Sequence, residues 1–170
     1  MGAVAAVPSS LTSAPAPAPC HGLDPAIFLK TALFGGMTDE CRCVLTDRVE
    51  VRPVAAGQAV YRDQDSAREL FILASGTLNV EKEGVVLASL QPADFFGELS
   101  FLDMQPRNNS VLATEDSVIY AIPYASLRSL YERNVRAYAL IVMNLAREVS
   151  RRLRKADLMA CGKLGCGSTR

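Results

Sequence analysis

The strongest constraint on the fold is the punctuation between residues 49 and 122. Short segments rich in Val, Ile, Leu and Phe alternate there with turn formers: Gly57, Asp63 to Asp65, Gly76, Gly84, Pro92-Ala93-Asp94 and Pro106. The apolar segments are 49–54, 58–61, 70–74, 77–81, 85–90, 110–113 and 118–122. Seven or eight short strands at this spacing predict a β-sandwich or barrel of jelly-roll type, a mainly β fold with flanking helices. Glu81-Lys82-Glu83-Gly84 reads as an exposed hairpin tip.

After Pro123 the period turns helical. Tyr131, Val135, Tyr138, Val142, Leu145 and Val149 step by four and three, and no Gly or Pro interrupts residues 124 to 160. A helix over 134–157 would be about 36 Å long, too long for a small sandwich to cover alone. The seam therefore predicts a homodimer through this C-terminal helix, with Val135, Val142 and Val149 sharing one heptad position as two-stranded coils favour. Upstream of the strands, Asp24-Pro25 and Thr38-Asp39-Glu40 each mark a short helix start, with Gly35-Gly36 between them. Residues 1–22 are Ala, Pro and Ser without acid or base and read as an unpacked tail. Residues 158–170 read as a second tail, so the expected domain is 23–157.

Charge and cysteine usage narrow the partners. Lys+Arg and Asp+Glu both number 18, so no overall field steers the chain to nucleic acid or membrane, and no apolar run reaches a membrane-spanning length. Five cysteines without zinc or redox spacing read as reduced thiols in a cytoplasmic protein. Cys41 and Cys43, two apart on a predicted helix, face different directions and read as packing. The only histidine is His21, which argues against a metal-dependent jelly-roll enzyme; no metal, cofactor or catalytic role is expected. The basic run from Arg147 to Arg170 reads as a solvated helix face. After Leu158 no helical period follows, so autonomous DNA recognition is not expected.

Residues 96–111 read FGELSFLDMQPRNNSV and place an acid and a base on one connection inside the β region. A small anion site needs backbone N–H groups at a helix start and one cation. Glu98 to Asp103 can form a single helical turn, and Arg107 can close on the anion. Glu98 would repel the anion, so its role is to accept hydrogen bonds from hydroxyls beside it. An anion flanked by a hydroxyl describes a ribose phosphate.

This stretch resembles the phosphate-binding cassette of the cyclic-nucleotide-binding domain family, which includes catabolite-activator-type regulators and kinase regulatory subunits. Phe96, Gly97, Glu98, Leu99, Ser100, Pro106, Arg107, Ser110 and Val111 fit its pattern, as do Leu33-Phe34, Gly57 and the Leu70 to Gly76 hairpin. The resemblance covers residues 24 to 157. It implies that Gly97 admits close backbone approach, Glu98 takes the ribose 2′-hydroxyl and Arg107 the cyclic phosphate. It also implies that Ser100 and Asn108 offer N–H groups. Asn108-Asn109 departs from the small residues usual there, which bears on affinity and base preference. The implied function is a stand-alone sensor of cAMP or cGMP that moves its C-terminal helix for an unknown downstream protein. The competing reading is a degenerate β-roll dimerisation module that binds no nucleotide, with Glu98 and Arg107 paired in a structural salt bridge. Phe95, Phe96, Phe101 and Leu102 are expected in the core, and Tyr131 and Tyr138 on the helix seam.

Overall fold

A computed structural model describes residues 23–46 and 48–163. The N-terminal tail, His21 and the last residues of the C-terminal tail lie outside these described residues. Helix α1 (Pro25–Lys30) opens on Asp24, whose carboxylate accepts the Ala26 amide at 2.8 Å, with proline in the first turn. The chain then leaves α-geometry at Thr31 for a 3-10 turn at Ala32–Phe34, so the first predicted helix is two short pieces. Helix α2 (Asp39–Thr46) carries its two acids in the first turn, where the helix dipole favours them.

Eight strands follow: β1 (Glu50–Val54), β2 (Ala59–Tyr61), β3 (Glu69–Ser75), β4 (Leu78–Lys82), β5 (Val85–Leu90), β6 (Phe95–Phe96), β7 (Ser110–Ala113) and β8 (Ser117–Pro123). They pair antiparallel into two four-stranded sheets, ordered β1-β8-β3-β6 and β2-β7-β4-β5. This is the predicted jelly-roll β-roll. The β4–β5 hairpin turns at Glu83-Gly84, both at positive φ, with Lys82 opposite Val85. That is the two-residue turn whose twist matches the strands. The two-residue β6, pairing Phe95 and Phe96 with Ile72 and Phe71, is too short for alternation to reveal.

Two apolar layers explain why β3 reads as a continuous hydrophobic run. Phe71 and Leu73 point between the sheets, where they meet Leu78, Phe96, Val111 and Ile119. Leu70 and Ile72 point the other way, against the helices, with Phe95, Tyr120 and Ile122. A strand covered on both faces needs apolar residues at every position. Leu102, expected in the core, is instead 38% exposed, because the short cassette helix turns its far side outward.

The C-terminal helices α4 (Tyr124–Arg133) and α5 (Val135–Lys163) are separated by Asn134, which leaves helical geometry at φ −151°, ψ 87°. Its amide donates to Leu130 O at 2.7 Å, and its side chain accepts the Ala137 amide at 3.0 Å. One residue thus ends a helix and caps the next. The seam is therefore not one stripe: Tyr131 belongs to α4 and meets Tyr138 edge-on at 5.3 Å. At 29 residues α5 is about 43 Å long and runs past 157 into the expected tail.

Burial along α5 also corrects the seam. Leu145 is 0% exposed and, with Ile141 and Ala137, packs into the helix–sheet core, so it cannot serve a second copy. Asn144 beside it donates to Leu33 O and Gly35 O, both at 3.0 Å, tying α5 to the 3-10 turn. Beyond Arg152 every residue of α5 whose burial is described, through Cys161, is exposed. Leu145→Ala is expected to lose about 2–5 kcal/mol of stability in urea unfolding. Leu29→Ala, at a side chain 72% exposed, should stay within about 0.5 kcal/mol of wild type.

Candidate functional site

The site is built where β6 leaves the sheet. Gly97, at φ +80°, turns the chain directly into helix α3 (Glu98–Asp103), and Met104 in left-handed geometry ends it. A Cβ on Gly97 would lie 2.5 Å from Arg107 Nη1, so glycine is needed both for the backbone and for the approach of this side chain. Ser100 is buried, with its hydroxyl 3.4 Å from Pro106 O. Leu99 is half-buried.

Arg107 is 3% exposed. Its Nη1 donates to Gly97 O at 2.9 Å and its Nη2 to Glu69 O at 2.7 Å. The guanidinium lies 4.3 Å from the Tyr61 ring centroid and 5.4 Å from that of Phe71, two faces that attract a cation. Its Nε–H has no partner. Carbonyl dipoles and aromatic faces hold it, and among the described residues no carboxylate pairs with it. Burial pushes the Tyr61 hydroxyl well above its ordinary range, and burial raises Tyr124 as well, against the opposing pull of Arg107 on both.

The cassette is stitched to the β2–β3 loop. Arg107 N donates to Asp65 O at 2.9 Å, and Gln64 N donates to Arg107 O at 2.8 Å. Lys82 bonds both the Asp63 carboxylate and, at 2.8 Å, Asn108 O. Asn108 is exposed. Asn109 is half-buried and satisfied, donating to Asn108 Oδ1 at 2.9 Å and accepting from the Tyr61 hydroxyl at 3.4 Å. Val60, Tyr61, Phe71 and Arg107 line a cleft of about 410 Å³ together with Arg52, Arg68 and Glu69. That volume is in the range of small-molecule sites.

Glu98 does not pair with Arg107. It is 3% exposed and takes Arg152 Nη1 of α5 on Oε1 at 2.9 Å. Arg152 also donates to Phe95 O at 2.6 Å and, through Nε, to Glu148 Oε1 at 2.8 Å. Burial pushes the Glu98 carboxyl up from its ordinary value, and Arg152 works against that rise. Burial would raise Glu148 too, but hydrogen bonds from Arg151 and Arg152 outweigh it and hold that carboxyl below its ordinary value.

The structure thus gathers Gly97, Glu98, Ser100 and Arg107 around one corner of the roll, keeps the acid and base apart, and leaves Asn108 at the surface. Sequence reasoning missed Arg152, Glu148, Tyr61 and the Glu69 carbonyl. The available signal for the first two was Glu148 itself, an acid inside a basic run and one helical turn before Arg152.

Residues 51–134 match the family model for the cyclic nucleotide-binding domain. The chain is 31% identical over 131 residues to the cyclic AMP receptor protein of Thermus thermophilus, covering 74% of this chain and 59% of that protein. It is 30% identical over 99 residues to the cAMP-dependent protein kinase regulatory subunit of Yarrowia lipolytica, covering 58% of this chain and 26% of that one. The crystal structure of the Thermus thermophilus catabolite activator protein superposes with a TM-score of 0.65 at 30% identity, covering 76% of this chain and 62% of that one. The chain therefore spans about three fifths or less of these relatives.

The crowding at Gly97 has a direct consequence. Gly97→Ala must both strain the backbone, by about 1–2 kcal/mol, and displace the Arg107 guanidinium. Denaturant unfolding should show at least that loss, whereas Gly57→Ala, with nothing within 4 Å of the added Cβ, should show the backbone term alone.

Proposed function

The β-roll of this chain belongs to the cyclic nucleotide-binding domain family, and on that premise we propose that the chain is a cytoplasmic sensor of a cyclic mononucleotide, cAMP or cGMP. The observation that carries this reading is Arg107, a buried guanidinium with an unused N–H and, among the described residues, no carboxylate paired with it. Burying a cation without a counter-charge costs several kcal/mol, a cost that an anionic ligand offsets when it binds. A cyclic phosphate supplies that charge. Glu98, Gly97, Ser100 and the Asn108 amide complete the site in this reading. Glu98 accepts the ribose hydroxyl and glycine admits the sugar-phosphate to the backbone.

The relay runs through Arg152. It spans from α5 to Glu98 and to Phe95 O, so any ligand that shifts the cassette also shifts the anchor of α5. The chain binds and relays in this reading and performs no reaction. The downstream protein is the reader of the helix position.

Ligand at about 100 times its dissociation constant should stabilise the fold by about 2.7 kcal/mol. The test is thermal melting with cAMP, cGMP and cyclic dinucleotides. Arg107→Leu should lose the response, since each charge-assisted bond contributes about 1.5–3 kcal/mol. Arg107→Lys should retain part of it. Wild type unmoved at millimolar concentrations of every ligand would favour the alternative, a β-roll that only mediates contacts.

The homodimer is proposed along a corrected stripe. Val135 and Leu153 are 57% and 61% exposed, and Val142 and Val149 are half-buried between them. Exposed Ala139 and Ala146 share the alternate heptad place with Leu153, and exposed Ala156 follows Val149 on the first. Leu153 and the residues after it through Cys161 are exposed, and a helix projecting unpacked is marginal in water. A second α5 buries this stripe. Val149→Glu with Leu153→Glu should give a folded monomer by light scattering. Wild type remaining monomeric at high micromolar concentration would point to a different protein as the helix partner.

A further inference from the structure

We propose that Glu148 sets the ligand affinity of the cassette by competing with Glu98 for the Arg152 guanidinium; this rests on the reading of the site as an anion site. Three facts carry it. Glu98 and Glu148 are both buried carboxylates, 3% and 6% exposed, bonded to different nitrogens of one guanidinium. Arg152 divides its donors among Glu98 Oε1, Phe95 O and Glu148 Oε1, at 2.9, 2.6 and 2.8 Å. Glu148 also takes both donors of Arg151, at 2.9 and 2.7 Å, from a side chain 72% exposed and therefore largely solvated.

The electrostatic consequence follows from which charge an anionic ligand meets. Such a ligand settles beside Glu98, whose carboxylate repels it. Arg152 is the cation that offsets that repulsion, since Arg107 is committed to the ligand itself. Glu148, one helical turn before Arg152, draws part of the same positive charge toward the helix. Two acids therefore share what one needs. Neutralising Glu148 leaves Arg152 wholly to Glu98 and makes the junction more positive, which favours the anion. Neutralising Arg152 leaves Glu98 exposed to the ligand as an unbalanced negative charge.

The affinity of wild type, Glu148→Gln, Arg152→Gln and the double variant for cAMP and for cGMP is to be measured by calorimetric titration. Ligand-free melting establishes that each variant is folded. Glu148→Met, uncharged and of similar length, replaces Glu148→Gln should the latter melt below the titration temperature. Glu148→Gln is expected to bind about three- to tenfold tighter than wild type, and Arg152→Gln weaker. The double variant should match Arg152→Gln, because Glu148 acts through Arg152. A rise in affinity that vanishes in the Arg152→Gln background is the informative sign, since a direct field of Glu148 on the ligand would persist there. Wild type that binds while Glu148→Gln binds equally or more weakly overturns the inference alone. So does the same gain from Glu148→Gln in both backgrounds, which would mean a direct field on the ligand. Wild type that binds neither nucleotide overturns the reading of the site and this inference together.

Discussion

Everything near the cassette is arranged around one guanidinium that has left water with no carboxylate paired to it among the described residues. Arg107 is surrounded by what a cation accepts in place of a carboxylate: two carbonyl oxygens and two aromatic faces. Each of these demands something of the fold. The Gly97 carbonyl is in reach because glycine takes the left-handed turn and leaves no Cβ in the way. The Glu69 carbonyl is in reach because β3 begins there, and Tyr61 and Phe71 stack at 5.9 Å to form one wall. The backbone of Arg107 is locked to the β2–β3 loop on both sides. Position is over-determined while charge is left open, and the proposed anion site rests on that combination.

The long helix joins two roles that its sequence does not separate. Its first half is core: Ile141 and Leu145 are fully buried, and Asn144 supplies the hydrogen bonds that the carbonyls of Leu33 and Gly35 would otherwise lack. Its second half is tied to the roll through Arg152, which donates to Glu98 and to Phe95 O. The N-terminal elements are fastened to the first half, so they follow α5 if it tilts. The hydrophobic layer between the helices and the sheet resists such tilting, and in the proposed relay the polar junction at Glu98 is where a ligand would bias it.

The roll was legible because its strands obey simple rules. Turn formers bracket nearly every strand, and the Glu83-Gly84 turn announces its hairpin. The run Leu70 to Leu73 signals a strand buried on both faces. The cassette was legible as a local motif for the same reason: its glycine, acid and arginine lie on one connection. What escaped was non-local. Tyr61 and the Glu69 carbonyl reach Arg107 from other strands. A heptad count cannot distinguish a seam facing the chain's own sheet from one facing a second copy, and so it misassigned Leu145. Nor does the count register that Asn134 breaks the helix, since asparagine is tolerated in helices and reveals itself only by capping. Arg152 was hidden for a different reason. In a run of arginines each reads alike, and only the partner across the junction singles one out.

That partner also explains why two similar acids behave oppositely. Glu98 receives one cation on one oxygen inside an apolar corner, so burial dominates and its carboxyl is raised. Glu148 receives three donors on two oxygens, so hydrogen bonding dominates and its carboxyl is lowered. The signs oppose each other in the pH dependence of stability. Glu148 contributes stability above the ordinary carboxylate range that is lost as pH falls through its lowered value. Glu98 is a burden while ionised, and the burden lifts as pH falls through its raised value. Acidification therefore discharges Glu98 before Glu148, and Arg152 is left to Glu148. Of these two ion pairs, the one that joins cassette to helix is the first to lose its charge.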